Sequence, residues 1–182
     1  MKIECLEIAG FRSALEALRL PYSLPPRSKL HSFGGIDDDD KFHTESDVLI
    51  NNEDLNLMSV LVKRGDEHAK VLRGIIVWVK ITTSLYTWAE IETYRAGHER
   101  LASESTMHTE GKGLSGEELQ KVKAEIPSGR KLTKVDYFSY QTLRRIYFQR
   151  RNHRLPEWHE FCNFIETLPY AKELITIENV TD

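Results

Sequence analysis

Cysteine is nearly absent. Cys5 and Cys162 are the only two in 182 residues, far apart and outside any metal-ligand or redox spacing. That excludes a disulfide scaffold and a cysteine zinc site, and it leaves two reduced, structural thiols, as expected of a cytoplasmic protein. No apolar run approaches the roughly 18 residues of a membrane span. The N-terminal MKIECLEIAGF carries acids inside its short apolar stretch, so no secretory leader is expected either. An overall positive balance is missing too. With 25 basic and 28 acidic side chains the net charge is −3, which excludes a general coat for nucleic acid or anionic lipid and makes any anion site local. The nucleophile signature G-x-S-x-G does not occur, although Ser103 and Ser105 fall in a polar stretch suited to a site. His98, His108, His153 and His159 include no i, i+4 pair, so no metal site is expected.

What is present suits one compact domain over residues 1–182, since 40% hydrophobic and 29% charged side chains can bury a core. Residues 1–8 read as a short strand and 11–20 as a helix with Phe11, Leu15 and Leu18 on one face, stopped by Pro21. Residues 29–46 form an acidic, Gly- and Asp-rich loop. The run Asp37 to Asp40 lacks the spaced ligands of a calcium loop and reads as solvated charge. A helix over 53–64 follows, with Gly65 placed as its left-handed cap.

VLRGIIVWVKIT, residues 71–82, predicts a strand covered on both faces. The spacing of Leu85, Trp88, Ile91, Tyr94 and His98 predicts a long helix over 86–102, with Thr87 and Glu90 as a capping box near its start. Residues 103–114 are a polar loop. Within and after it, Gly111, Gly113 and Gly116 match G-x-G-x-x-G letter for letter, yet no strand is expected before them, so a hinge is the better reading. Ser115 opens a helix that Pro127 closes. A further helix is expected over 137–151, and a last one starts at Pro156 with Trp158, Phe161, Cys162 and Ile165 along it.

The arginines raise the main question. Between Pro127 and Leu155 eight Arg or Lys face one acid, Asp136. Solvated helix faces more often mix signs. Arg150 falls on the apolar stripe seven residues after Leu143, and an inward guanidinium needs either an internal acid or a ligand anion. Glu157 and Glu160 are the nearby acids that would make it a structural pair. Arg95, beside Tyr94 on the inward stripe of its helix, raises the same choice, with Glu90, Glu92 and Glu99 as internal partners.

The order of segments resembles that of the flavin-dependent thymidylate synthases. Lys63-Arg64-Gly65 ends a helix, VLRGIIVWVKIT is the strand, and Thr93-Tyr94-Arg95 is followed after seven residues by Ser103, where that family has Arg-His-Arg and a serine. Ile126-Pro127 resembles the family's Leu-Pro turn, Ser139 to Leu143 its Asn-x-Arg-Ser-Leu element, and Arg150 its later arginine. The departures are Thr93 and Tyr94 for Arg and His, Glu90 for Gln, Ser139 for Asn, Asp66 for His, and a shortened excursion before the Pro turn.

The resemblance implies an α+β fold with a small central sheet packed against several helices. It also implies a pyrimidine nucleotide such as dUMP as substrate, with methyl or one-carbon transfer to the base. Arg95 and Arg150 would hold the nucleotide phosphate, Ser103 and Glu90 would contact the nucleotide, and Tyr94 would stack in place of the imidazole. Ser139, Tyr94 and His68 would meet FAD, with methylenetetrahydrofolate and NADPH as co-substrates and a homotetramer as the assembly. The alternative is a module without catalysis that binds nucleotide or single-stranded nucleic acid through the same arginines.

Overall fold

The computed structural model describes residues 1–25 and 49–180. The acidic stretch with Asp37 to Asp40 lies outside them. Four antiparallel strands form one sheet in the order β1-β2-β4-β3. These are β1 (Lys2–Ala9), β2 (Ile76–Ser84), β3 (His98–Ser103) and β4 (Lys131–Ser139). The helices are α1 (Phe11–Arg19), α2 (Asn52–Lys63), α3 (Leu85–Ile91), α4 (Gly116–Ala124), α5 (Tyr140–Arg150), α6 (Pro156–Glu166) and the short α7 (Ala171–Leu174). The α+β architecture with a small central sheet is the one expected.

Val77, Val79 and Ile81 of β2 and Phe138 of β4 point to the same side and are buried with Phe11, Leu15, Met58, Trp88, Leu143, Trp158 and Phe161 of the helices. The other side of β2, with Ile76, Trp78, Lys80 and Thr82, is exposed or half-buried. The strand is therefore covered on one face, as in a typical antiparallel sheet, and not on both. Its start also moves: Lys70–Arg73 is a single 3₁₀ turn, and pairing begins only at Ile76.

Two larger differences decide where a site can sit. The long helix expected over 86–102 is only α3, seven residues, capped by Ser84, whose Oγ accepts from Thr87 N–H at 3.3 Å. Thr87 and Glu90 form no capping box. The chain turns over Glu92 to Gly97 and returns as edge strand β3. Apolar spacing misleads here because the turn keeps the helical phase as far as Tyr94, which stays buried, before Gly97 (φ +72°) breaks it. The second difference is β4, which periodicity missed. Its inward positions read Leu132, Lys134, Asp136, Phe138, so two charged groups stand where apolar ones are expected. The helix after it starts at Tyr140 instead of 137.

The other helices hold. Gly65 takes the left-handed φ of +99° after α2, as its placement required. Pro156 occupies the first turn of α6. Both cysteines are free, Cys5 exposed and Cys162 buried.

Candidate functional site

Arg150 leaves the end of α5 pointing inward, and its counter-charge is internal. Nη1 donates to Glu90 Oε2 at 3.0 Å and Nε donates to Tyr94 Oη at 2.8 Å. The guanidinium lies 4.5 Å from the centre of the Trp158 ring, and the Trp158 indole N–H donates to the same Glu90 oxygen at 2.8 Å. The acid is neither Glu157, which accepts from Tyr86, nor Glu160, which pairs with the N-terminal ammonium. Arg150 is thus committed to a carboxylate on α3, and the inward guanidinium needs no ligand anion to explain it.

Four more residues of the basic segment are neutralised in the same manner. Arg130 donates to Glu110, Lys134 to Glu92, and Arg151 to Glu178, while Arg145 lies 3.9 Å from Asp66. Arg144 is buried and donates to the carbonyls of Ile175 and Ile177 at 2.6 and 2.5 Å, pinning the C-terminal segment. Five of the eight basic residues that looked unbalanced in sequence meet acids delivered from other elements, Arg144 meets carbonyls and Asn179, and the charged groups of Lys131 and Arg154 have no partner among the described residues. With most of that charge paired internally, little of the segment is left as a basic face for nucleic acid.

Where the turn after α3 meets β3, an open cleft of about 290 Å³ is lined by Glu92, Arg95, His98, Glu99 and Arg100. Arg95 is exposed in this turn, not on an inward helix stripe. Among the described residues its guanidinium makes no hydrogen bond or ion pair. Arg100, in contrast, donates to Glu92, and Lys134 donates to the same Glu92 oxygen at 2.7 Å. Burial pushes the Glu92 carboxyl up, but the hydrogen bonds from Lys134 and Arg100 outweigh it and hold the group below its ordinary value. Behind the cleft, His98 Nε2 bonds Asp136 Oδ2 at 2.7 Å and its ring stacks on Phe138 with centroids 4.2 Å apart. Asp136 is wholly buried. Its other oxygen has no hydrogen bond and faces Arg100 Nε at 3.6 Å.

The remaining carried-over positions divide. Ser103 is exposed at the end of β3, with its hydroxyl on the Glu104 carbonyl at 2.8 Å. Ser139 is buried as the N-cap of α5, its Oγ accepting from Thr142 N–H at 3.2 Å. Tyr94 is 5% exposed, covered by Trp158 and Arg150, so its ring has no face left for a stacking ligand. His68 is exposed in the turn after α2. Of the three side chains carried over as flavin contacts, two are sealed inside with their polar atoms engaged. That donor set does not fit a flavin within one chain.

His98, Asp136, Arg100 and Thr142 were not singled out as site residues from the sequence. Asp136 as the lone acid in a basic run was the one available signal.

No protein-family model matches the chain, and no curated protein sequence matches it. Solved structures do. Flavin-dependent thymidylate synthase ThyX from Helicobacter pylori, complexed with FAD and dUMP, superposes with a TM-score of 0.66 at 14% identity, covering 97% of this chain and 98% of that one. A second structure of the same enzyme with FAD and dUMP gives 0.67 at 12% identity, with the same coverage. The UMP/dUMP methylase PolB from Streptomyces cacaoi, bound with 5-Br dUMP, gives 0.59 at 12% identity over 95% of this chain and 90% of that one. The fold is that of the flavin-dependent thymidylate synthases. At these identities the thymidylate synthase likeness is one of architecture, and the chemistry has to be argued from the side chains above. No described helix is long and apolar enough to cross a membrane.

Proposed function

We propose that this chain binds a pyrimidine deoxynucleotide with its 5′-phosphate on Arg95, in the cleft between the end of α3 and β3. One observation carries the reading: Arg95 is a guanidinium without a partner among the described residues, facing a cleft in a fold whose solved neighbours hold dUMP or 5-Br dUMP. A planar fork of N–H donors matches phosphate geometry, and the phosphate supplies the charge that no neighbouring acid gives Arg95. Ser103, exposed at the far end of β3, is a further contact for the nucleotide. Glu90 and Arg150, paired with each other beside Tyr94 and Trp158, do not line this cleft and do not take the phosphate.

Titration calorimetry tests this. dUMP is expected to bind and deoxyuridine, which lacks the phosphate, to bind at least about tenfold more weakly, with Arg95→Ala removing the difference. Equal affinity for dUMP and deoxyuridine rejects the reading. Tighter, steeply salt-dependent binding of a short single-stranded oligonucleotide would favour the nucleic-acid module instead.

A second reading, methyl or one-carbon transfer to the base with FAD, methylenetetrahydrofolate and NADPH, is favoured by the near full-length fold match to structures holding FAD and dUMP. With Ser139 and Tyr94 sealed, it requires flavin contacts from a second copy of the chain, consistent with the homotetramer the resemblance implies. Flavin absorbance of the purified protein, alone and after adding FAD, decides it. Absence of bound flavin in both samples rejects this second reading and leaves the first standing.

A further inference from the structure

The link from Tyr94 to His98 is tied down carbonyl by carbonyl. His98 Nδ1 donates to the Tyr94 carbonyl at 3.1 Å, Thr142 Oγ1 donates to the Ala96 carbonyl at 2.5 Å, and Ser139 N–H donates to the Gly97 carbonyl at 2.7 Å. Gly97 is required on two counts. Its φ of +72° is costly for other residues, and a Cβ there would fall 2.7 Å from Thr142 Oγ1 and closer still to Ser139 Oγ. The His98 ring is itself held on three sides, by the Tyr94 carbonyl, by the buried Asp136 and by the face of Phe138. A carbonyl can only accept, so His98 Nδ1 carries a proton, and the bond to Asp136 uses the second ring nitrogen.

Within these five residues the Tyr94 side chain is buried, Ala96 and Gly97 have no polar side-chain atom, and His98 is engaged at both nitrogens. Arg95 alone sends an unengaged side chain outward, into the cleft.

We propose that residues 94–98 form a fixed arch that presents Arg95 to a phosphate monoester, with Gly97, His98, Asp136, Ser139 and Thr142 as its positioning residues. The inference rests on the nucleotide-binding reading and adds to it which groups set the anion site. An arginine on a free loop would have to be ordered each time a ligand binds. An arch already fixed by buried donors lowers that cost before the ligand arrives.

Thr142 gives the cleanest test, because it is buried at the start of α5 and does not line the cleft. Thr142→Val keeps the shape and removes the hydroxyl that holds the Ala96 carbonyl. Thr142→Ser keeps the hydroxyl. Inorganic phosphate, dUMP and deoxyuridine are titrated into the full chain, its Arg95→Ala variant and these two variants. Arg95→Ala is expected to weaken phosphate and dUMP by about tenfold or more. Thr142→Val should weaken both by about three- to tenfold, and Thr142→Ser should stay within about twofold of the parent. Deoxyuridine affinity should not change in any variant. Should Thr142→Val fail to fold, Thr142→Ala is compared with Thr142→Ser in its place. If the parent binds dUMP, Arg95→Ala loses it and the hydroxyl-free variant binds as well as the parent, the arch is overturned and the nucleotide reading stands. A parent that binds neither phosphate nor dUMP overturns both.

Discussion

Arg150 and Glu90 lie 60 residues apart in sequence and meet at 3.0 Å, on a carboxylate oxygen that also takes the Trp158 indole N–H at 2.8 Å. His153 accepts from Leu155 N–H through Nδ1, which leaves its ring proton on Nε2, 3.8 Å from the same oxygen. Removing this acceptor strands two donors at once. Glu90→Ala is expected to cost about 1–3 kcal/mol of stability, and Glu90→Gln, which keeps an acceptor, clearly less, as read by urea denaturation. Equal stability of Glu90→Ala and the parent would show that the cluster holds nothing together.

Arg144 ties the C-terminal segment to α5 through Ile175 and Ile177 carbonyls and Asn179 Oδ1, and its burial lowers the guanidinium pKa from its ordinary value. Arg144→Met keeps much of the bulk and loses these bonds. The variant is expected to lose about 2–4 kcal/mol. Amide exchange should rise at Val180, whose N–H reaches back to the Lys63 carbonyl.

Hydrogen bonds from Arg130, and then from Thr109, pull the Glu110 carboxyl down from 4.5 to about 2. Because the folded value is depressed, the stabilisation is present above pH 4.5 and is lost as pH falls from there through about 2. The pair lies at the surface, half-buried and open to solvent screening, so the effect on global stability is small. A carboxyl NMR titration should find Glu110 still ionised at pH 3, and back in the ordinary range in Arg130→Gln.

Cys162 is buried, and desolvation raises its thiol to about 11, with Glu166 adding to the shift. Under native conditions at pH 8 a thiol reagent should modify Cys5 and spare Cys162, with the second thiol reacting only after denaturation. Simultaneous modification of both would contradict the packing of α6.

Much of the scaffold was legible because its signals are local. Gly65 as a left-handed cap, Pro156 in a first turn, and the apolar stripes of α1, α2 and α6 depend on neighbours within a few residues. What failed depended on partners far away. The turn at Gly97 was hidden because Tyr94 keeps the phase of α3 while its side chain packs on Trp158. β4 was hidden because Lys134 and Asp136 occupy inward positions, tolerable only with Glu92 and the Trp88 ring beside one and His98 beside the other. The same cause misled the charge count at 128–154: a window in sequence sees its own arginines and not Glu90, Glu110 or Glu178. The resemblance found the fold, while Arg95, expected on an inward helix stripe, is exposed in a turn, and Ser139 and Tyr94, carried over as ligand contacts, are buried with their polar atoms engaged.

The inward charges of β4 also constrain the order in which the chain can assemble. Pairing of β4 with β2 before the 92–98 turn has arrived would carry an ammonium and a carboxylate into apolar surroundings with no counter-ion at hand. The central β2–β4 pair is therefore disfavoured on its own. It is expected to close together with the turn that supplies Glu92 and His98, so that the arch bearing Arg95 forms in the same step as the sheet.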